Sequence, residues 1–203
     1  MSIHALILAG GEGGRLGAVR KDALRLGGTS MLERVAGRLR DVERPLLIST
    51  GRRASAERDG ESSLPDLDLP IAGPMAGLVA AADHLAGHDD TDLLLTVAVD
   101  TPFLPEDFVR RLVAALGPGE AAAQAGWGGN VYPTNAIWRL PALRDLPARA
   151  QDGSLPKSPK ALLARLKATT VDWADTHAAD PFANLNTLND LLSLARRAQA
   201  EGL

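Results

Sequence analysis

The sequence predicts an α/β fold: a doubly wound, mostly parallel sheet with helices on both faces. Three stretches, IHALILA (3–9), RPLLIST (44–50) and DLLLTVAV (92–99), are unbroken apolar runs rather than alternating ones. Strands read that way when helices cover both of their faces. Helical patterns separate the three, giving the order β-α-β-α-β-α over residues 1–117. That order implies parallel strands joined by helical crossovers. A length of 203 residues and an apolar share of 45% suit one domain with one core.

The helices follow in turn. In SMLERVAGRLRD (30–41), Leu32, Val35, Ala36 and Leu39 share one face, and Ser30 with Glu33 makes a capping box. MAGLVAAADHLAG (75–87) behaves alike, as does PEDFVRRLVAALG (105–117), which Pro105 opens and Gly117 closes. The last third is less regular. ATTVDWA (168–174) is compatible with a strand, and TLNDLLSLARRAQA (187–200) is an amphipathic helix capped by Thr187 and Asp190. Residues 51–70 and 147–159 read as loops. Aromatic residues make up only 3% of the chain, so the core must be built mainly from Leu, Val, Ile and Ala.

Composition removes several classes of function. The formal net charge is −3 with Lys and Arg scattered, whereas a nucleic-acid-binding surface shows a basic face. There is no cysteine, hence no disulfide framework, thiolate nucleophile or Cys-ligated zinc. The first strand begins within three residues, which leaves no room for a signal sequence. No apolar run is long enough to span a bilayer. The expectation is a soluble, cytoplasmic protein with no nucleic acid or membrane partner.

The chemistry concentrates after the first strand. In ALILAGGEGGRLGAVRKDAL (5–24), four glycines occur among five residues: Gly10, Gly11, Gly13 and Gly14. Arg15 follows at once and Lys21 six residues later. Glycines directly after a strand let the backbone turn tightly and aim several N–H groups at one anion. With two cations beside them, phosphate binding outweighs a mere tight connection. Neither GxxxxGK[ST] nor GxGxxG fits any register, and the missing second pattern places an NAD-dependent oxidoreductase low. In VAVDTPFLP (97–105), Asp100 stands alone at the end of an apolar strand, where burial without a partner would be costly. A bound divalent cation would account for it. Helix capping is the alternative, but Pro105 puts the helix start several residues later.

Leu8-Ala9-Gly10-Gly11, Arg15-Leu16-Gly17 and Lys21 together resemble the signature of sugar-phosphate-type nucleotidyltransferases, LAGG-x(n)-R-hydrophobic-G-x(n)-K. Within that superfamily the chain most resembles the MobA-like molybdenum cofactor guanylyltransferases, from residue 3 to about 195. IAGPMAGL (71–78), with Gly73, Pro74 and Gly77, is similar to the family's nucleotide-lining G-P-L-A-G turn, though a turn that merely starts a helix is the equal alternative. Asp100-Thr101-Pro102 matches the family's Mg-binding C-D-T-P, with Val99 for the cysteine. Pro133 and Thr134 match its H-P-T, with Tyr132 for the histidine. Asn184 and Asn186 in FANLNTLNDL (182–191) match F-x-N-x-N-T-P-E-E-L, with Leu188 for the proline.

The resemblance implies a Rossmann-like, nucleotide-diphospho-sugar transferase-like fold. It implies that residues 1–203 form one nucleotidyltransferase domain, 1–117 its nucleotide-binding half and 118–203 its acceptor-binding half. It further implies that GMP passes from GTP to molybdopterin with release of pyrophosphate, and that contacts with other molybdenum cofactor proteins would be transient. The backbone of Leu8 to Gly14 would cradle the triphosphate, Arg15 and Lys21 would offset its charge, and Asp100 would hold Mg²⁺. Asn184 and Asn186, with Pro133 and Thr134, would meet the acceptor. Lys157 and Lys160 could meet its phosphate, although a solvated basic loop is the commoner fate of such residues. Ser49 stands where an Asn is usual. Asp68 is a loose match for the acidic residue that reads the guanine edge. Cytidylyltransferases acting on the same cofactor are the nearest alternative; their last motif carries aspartates where this chain has two asparagines. A fold-sharing protein that binds nucleotide without turnover is a third reading, against which Arg15, Lys21 and Asp100 stand.

Overall fold

The computed structural model describes residues 1–10, 21–52, 59–185 and 187–200. Its strands are β1 (Ile3–Leu8), β2 (Arg25–Leu26), β3 (Thr29–Ser30), β4 (Leu46–Ser49), β5 (Glu61–Leu64), β6 (Leu93–Ala98), β7 (Ala122–Trp127), β8 (Asn130–Arg139) and β9 (Thr169–Asp172). Its helices are α1 (Met31–Arg38), α2 (Pro74–His84), α3 (Phe108–Ala114), α4 (Leu146–Gln151), α5 (Pro159–Arg165) and α6 (Leu188–Ala200). Seven strands form one sheet in the order β5-β4-β1-β6-β8-β7-β9, and β2 with β3 forms a small separate hairpin. Strand β8 runs antiparallel to both neighbours, and the other contacts in the sheet are parallel. No helix among the described residues is long and apolar enough to cross a membrane.

The unbroken apolar runs do what their pattern demands. Ala5 and Ile7 of β1 pack on one face with Val35 of α1, Leu112 of α3 and Ala198 of α6, while Leu6 points to the other face. There it meets Leu78 and Val79 of α2 and, farther along, Leu146 of α4 and Leu162 of α5. Both faces of the sheet are therefore covered, and successive residues of one strand feed two separate cores. The predicted capping box of α1 is present: Glu33 N–H donates to Ser30 Oγ and Ser30 N–H to Glu33 Oε2. The same reciprocal pair joins Thr187 and Asp190 at α6.

Several expectations need correction. Residues 51–70 are not all loop, because β5 adds a parallel edge strand beside β4. Residues 147–159 hold most of α4 and the start of α5, whose Ser158 side chain accepts from Ala161 N–H. Pro105 does not open α3; it closes a turn in which Phe108 N–H reaches its carbonyl, and the helix begins at Phe108. The irregular last third contains β7 and β8, a hairpin turned by Gly128-Gly129.

Scarce aromatics are grouped rather than spread. Phe182 lies 5.2 Å from Trp173, 5.1 Å from Tyr132 and 5.9 Å from Phe108, ring centre to ring centre. This cluster anchors the segment leading to Asn184. Tyr132 Oη donates to Asp180 Oδ2 at 2.6 Å, and Arg197 Nη1 of α6 donates to the Asp180 carbonyl.

Burial, then the Asp180 hydrogen bond and charge, then the charge of Asp172, push the Tyr132 phenol above its ordinary value of 10.0. A raised folded-state pKa means the contribution is fully present below pH 10 and fades as pH climbs beyond it. Tyr132→Phe should therefore lower stability by about 1 kcal/mol at neutral pH, the site being partly solvated. The wild-type advantage should shrink above pH ~10 in urea unfolding curves recorded across pH.

Candidate functional site

In a doubly wound sheet ligands sit beyond the carboxyl ends of the strands. Here those ends are level: Leu8 pairs with Ser49 on one side and Ala98 on the other, and Ser49 pairs with Leu64. The backbone continues the ladder just past them, with Ala9 N–H donating to the Ser49 carbonyl at 3.1 Å and Val99 N–H to that of Leu8 at 3.2 Å. Leu8, Ala9, Gly10, Ser49 and Asp100 are thereby brought to one edge.

Two glycines allow this convergence. A Cβ at Gly10 would stand 2.7 Å from the Gly51 nitrogen, so the β1 and β4 exits touch backbone to backbone. A Cβ at Gly77 would stand 2.6 Å from Ser49 Oγ and 3.0 Å from Leu8 Cδ2, so the first turns of α2 lie directly on those strand ends. Gly73 caps α2 without a side-chain hydrogen bond, and Pro74 opens it. The sequence-predicted Gly73, Pro74 and Gly77 therefore belong to the same edge as Leu8. Ser49 is buried beneath Gly77.

Asp100 is half-buried immediately after β6. Thr101 turns back, its Oγ1 donating to the Ala98 carbonyl at 2.7 Å, and is wholly buried. The carbonyl of Asp100 accepts the N–H of Leu185. That bond places exposed Asn184 beside the aspartate, across 85 residues of sequence. Pro133 and Thr134 reach the same edge from β8, where pairing shifts from Gln124–Ala136 to Ala125–Tyr132 and leaves 133–135 as a bulge. Gly11, Gly13, Gly14, Arg15 and Asn186 lie outside the described residues. Lys21 opens one turn of 3-10 helix, Lys21–Ala23, ahead of β2.

Two residues escaped the sequence reading. Asp68 was the expected acidic residue of this edge, but its carboxylate is fully exposed, 4.0 Å from Arg52 Nη1. Asp66 is the half-buried one: its N–H donates to the Gly51 carbonyl at 2.8 Å, and its Oδ1 is buried without a hydrogen-bond partner. Desolvation raises its carboxyl above the usual range, opposed by the charge of Arg52. The signal was its place, two residues past the end of an edge strand that was not anticipated. Asn135 is the second. Wholly buried, it accepts the Ala98 N–H on Oδ1 at 2.8 Å, replacing the ladder partner that the bulge removes. Its Nδ2 has no partner.

Gly10 and Gly77 at the parallel strand ends, with Asp66 beyond β5 and Asp100 beyond β6, suit a nucleotidyltransferase, and the family match assigns that class. The chain belongs to the MobA-like NTP transferase family, whose domain matches residues 5–170. It is 34% identical to the molybdenum cofactor guanylyltransferase of Bradyrhizobium sp. (strain ORS 278), over 98% of this chain and 95% of that one. The fold is similar to that of molybdopterin-guanine dinucleotide biosynthesis protein A from Archaeoglobus fulgidus, with a TM-score of 0.73, 21% identity and coverage of 98% and 99%. It is also similar to that of 2-C-methyl-D-erythritol 4-phosphate cytidylyltransferase from Thermus thermophilus, with a TM-score of 0.66, 21% identity and coverage of 98% and 100%.

Asn135→Ala should leave the Ala98 N–H buried and unpaired next to Asp100. Urea unfolding should register a loss of about 1–3 kcal/mol.

Proposed function

We propose that this protein transfers GMP from GTP to (Mo-)molybdopterin, giving molybdopterin guanine dinucleotide and pyrophosphate, with Mg²⁺ as cofactor. The carrying observation is identity at 34% over nearly the whole chain with a protein named for that activity. The geometry of the strand ends supports it. Fold alone leaves the base open, since the same architecture serves a cytidylyltransferase.

In this reading residues 1–117 hold the nucleotide and 118–203 the acceptor. N–H groups from Leu8 through Gly14 cradle the triphosphate at the exit of β1, and Arg15 and Lys21 offset the charge that builds on the α-phosphate and the departing pyrophosphate. A phosphate oxygen of the pterin attacks the α-phosphorus in line; one P–O bond forms while the bond to the bridging α–β oxygen breaks. No covalent nucleophile is needed, only alignment and charge stabilisation.

Asp100 suits a hard divalent ion: it is an oxygen donor at a strand end, held by a fixed turn, with the Asn184 segment bonded to its carbonyl. When bound there, Mg²⁺ supplies Lewis-acid neutralisation of phosphate oxygens. Asn184 and Asn186, with Pro133 and Thr134, contact the acceptor; amides donate as well as accept, which suits a polar pterin ring.

For the base, Asp66 replaces Asp68 in our assignment. A desolvated carboxylate with an unsatisfied oxygen accepts strongly from guanine N1–H and N2–H₂, a pattern adenine lacks. Ser49 and α2 from Gly73 to Gly77 form the floor. The proposed setting is the cytoplasm, with transient contacts to other molybdenum cofactor proteins.

Incubation with each Mg-NTP and molybdopterin, followed by pyrophosphate release, should show consumption of GTP; selective use of CTP would overturn the guanine assignment. Asp100→Ala should cut Mg-dependent transfer by about a hundredfold or more while circular dichroism stays unchanged. Asp66→Asn should raise KM for GTP about 10- to 100-fold, with Asp68→Asn near wild type. The reverse ranking would return the role to Asp68.

A further inference from the structure

At the opposite end of the sheet, three side chains meet that the transfer reaction does not use. His4 lies on β1, Asp92 just before β6, and His88 in the connection between α2 and β6. A ring nitrogen of His4, a ring nitrogen of His88 and an Asp92 carboxylate oxygen all lie within 4.8 Å of one another. Asp92 Oδ2 is 3.6 Å from His4 Nε2 and 3.9 Å from His88 Nδ1. The two rings stand edge to face, 4.5 Å apart and 80° between planes.

Neither spacing is a hydrogen bond. His4 Nε2 is buried and unpartnered, although a carboxylate lies just beyond reach. An unpartnered imidazole nitrogen beside a carboxylate and a second imidazole is the donor set of a metal site.

The three donors are also held from behind. Asp92 Oδ1 accepts the Ser2 N–H at 2.6 Å, which leaves Oδ2 to the histidines. The Asp92 carbonyl accepts from Leu140 N–H, and the His88 carbonyl from Arg144 Nη2. His4 is fixed in the centre of the sheet between β4 and β6. Two cations lie close by: the terminal ammonium, 3.8 Å from Asp92 Oδ1, and Arg144, whose Nη2 reaches the His88 carbonyl.

We infer that His4, His88 and Asp92 form a binding site for a borderline divalent transition metal of the Zn²⁺ type, separate from the Mg²⁺ position at Asp100. A tetrahedral ion with bonds of ~2.0–2.1 Å needs ligand atoms about 3.3 Å apart, so the Asp92 spacings close by a few tenths of an ångström. Two imidazoles and one carboxylate select Zn²⁺, Co²⁺ or Ni²⁺ over Mg²⁺, which prefers oxygen. Four residue steps along β1 lead from His4 to Leu8, roughly 13 Å. The ion acts as a brace: it ties the start of the central strand to the connection feeding β6, whose other end carries Asp100.

The test uses untagged full-length protein stripped with chelator and titrated with Co²⁺, then Zn²⁺. One equivalent of Co²⁺ should give the visible absorption of a low-symmetry four-coordinate centre, and Zn²⁺ should displace it while excess Mg²⁺ does not. His88 is exposed, so His88→Ala should keep the fold; it and Asp92→Asn should each weaken Co²⁺ binding at least about tenfold. Absence of binding to wild-type protein, or equal binding in both variants, would refute the site and leave a His4–Asp92 electrostatic contact only.

Discussion

Close backbone contact at the carboxyl edge of the sheet is the constraint on which the rest of the site depends. A Cβ at Gly10 would run into the Gly51 backbone at 2.7 Å, and one at Gly77 would press on the Ser49 and Leu8 side chains at 2.6 and 3.0 Å. If either contact opened, β4 and α2 would stand off from β1 by the thickness of a methyl group or more. The three elements would then no longer border the same end of β1. Gly10 thus lets β4 close on the exit of β1, and Gly77 lets α2 close on the same strand ends.

The second half of the chain is tied to that edge by different means. One hydrogen bond from Leu185 to the Asp100 carbonyl joins the last segment to β6, and the ring cluster around Phe182 keeps that segment from drifting. Antiparallel β8 brings Pro133 and Thr134 in from the other side, and its bulge is tolerated because Asn135 supplies the acceptor that Ala98 loses. An in-line transfer needs two substrates held at fixed relative position, so rigidity between the halves matters more than any single donor.

What the sequence made legible follows from how strong each local signal was. Runs such as LLLTVA declare a strand buried on both faces, and SMLE declares a helix start, because each satisfies its own backbone or packing demand within a few residues. β5 reads ESSL, a polar edge strand with no hydrophobic pattern. β7 is rich in alanine and glycine, poor strand formers whose pairing is decided by neighbours rather than by propensity. The Gly128-Gly129 pair before Asn130 was an available hairpin signal that went unused. In α4 and α5, prolines in the first turns look like loop residues unless read as helix starts. The site shows the same division. Motif spacing points to Leu8 to Gly10 and Asp100, which the fold brings to one edge, whereas the places of Asp66 and Asn135 depend on a strand edge and a bulge that only the folded chain defines.

Among the described residues, four buried side-chain atoms lack a hydrogen-bond partner: Asp66 Oδ1, Gln124 Oε1, Asn135 Nδ2 and His4 Nε2. Leaving a buried polar group unpaired costs about 1–3 kcal/mol, a large fraction of a domain's net stability. Apolar residues of similar size would avoid that cost. Gln124 sits where the β7–β8 pairing shifts register, and that irregularity accounts for its idle oxygen. Asn135 belongs to the same irregularity, whereas Asp66 and His4 have no such local cause. Asp66 lies at the carboxyl edge, and Asn135 is buried beneath it. His4 faces a carboxylate and a second imidazole at the opposite edge. Packing alone gives no reason to set unsatisfied atoms at both ends of the central strands. Their placement is what a sheet would have if ligands, rather than protein groups, completed its hydrogen bonding at each end.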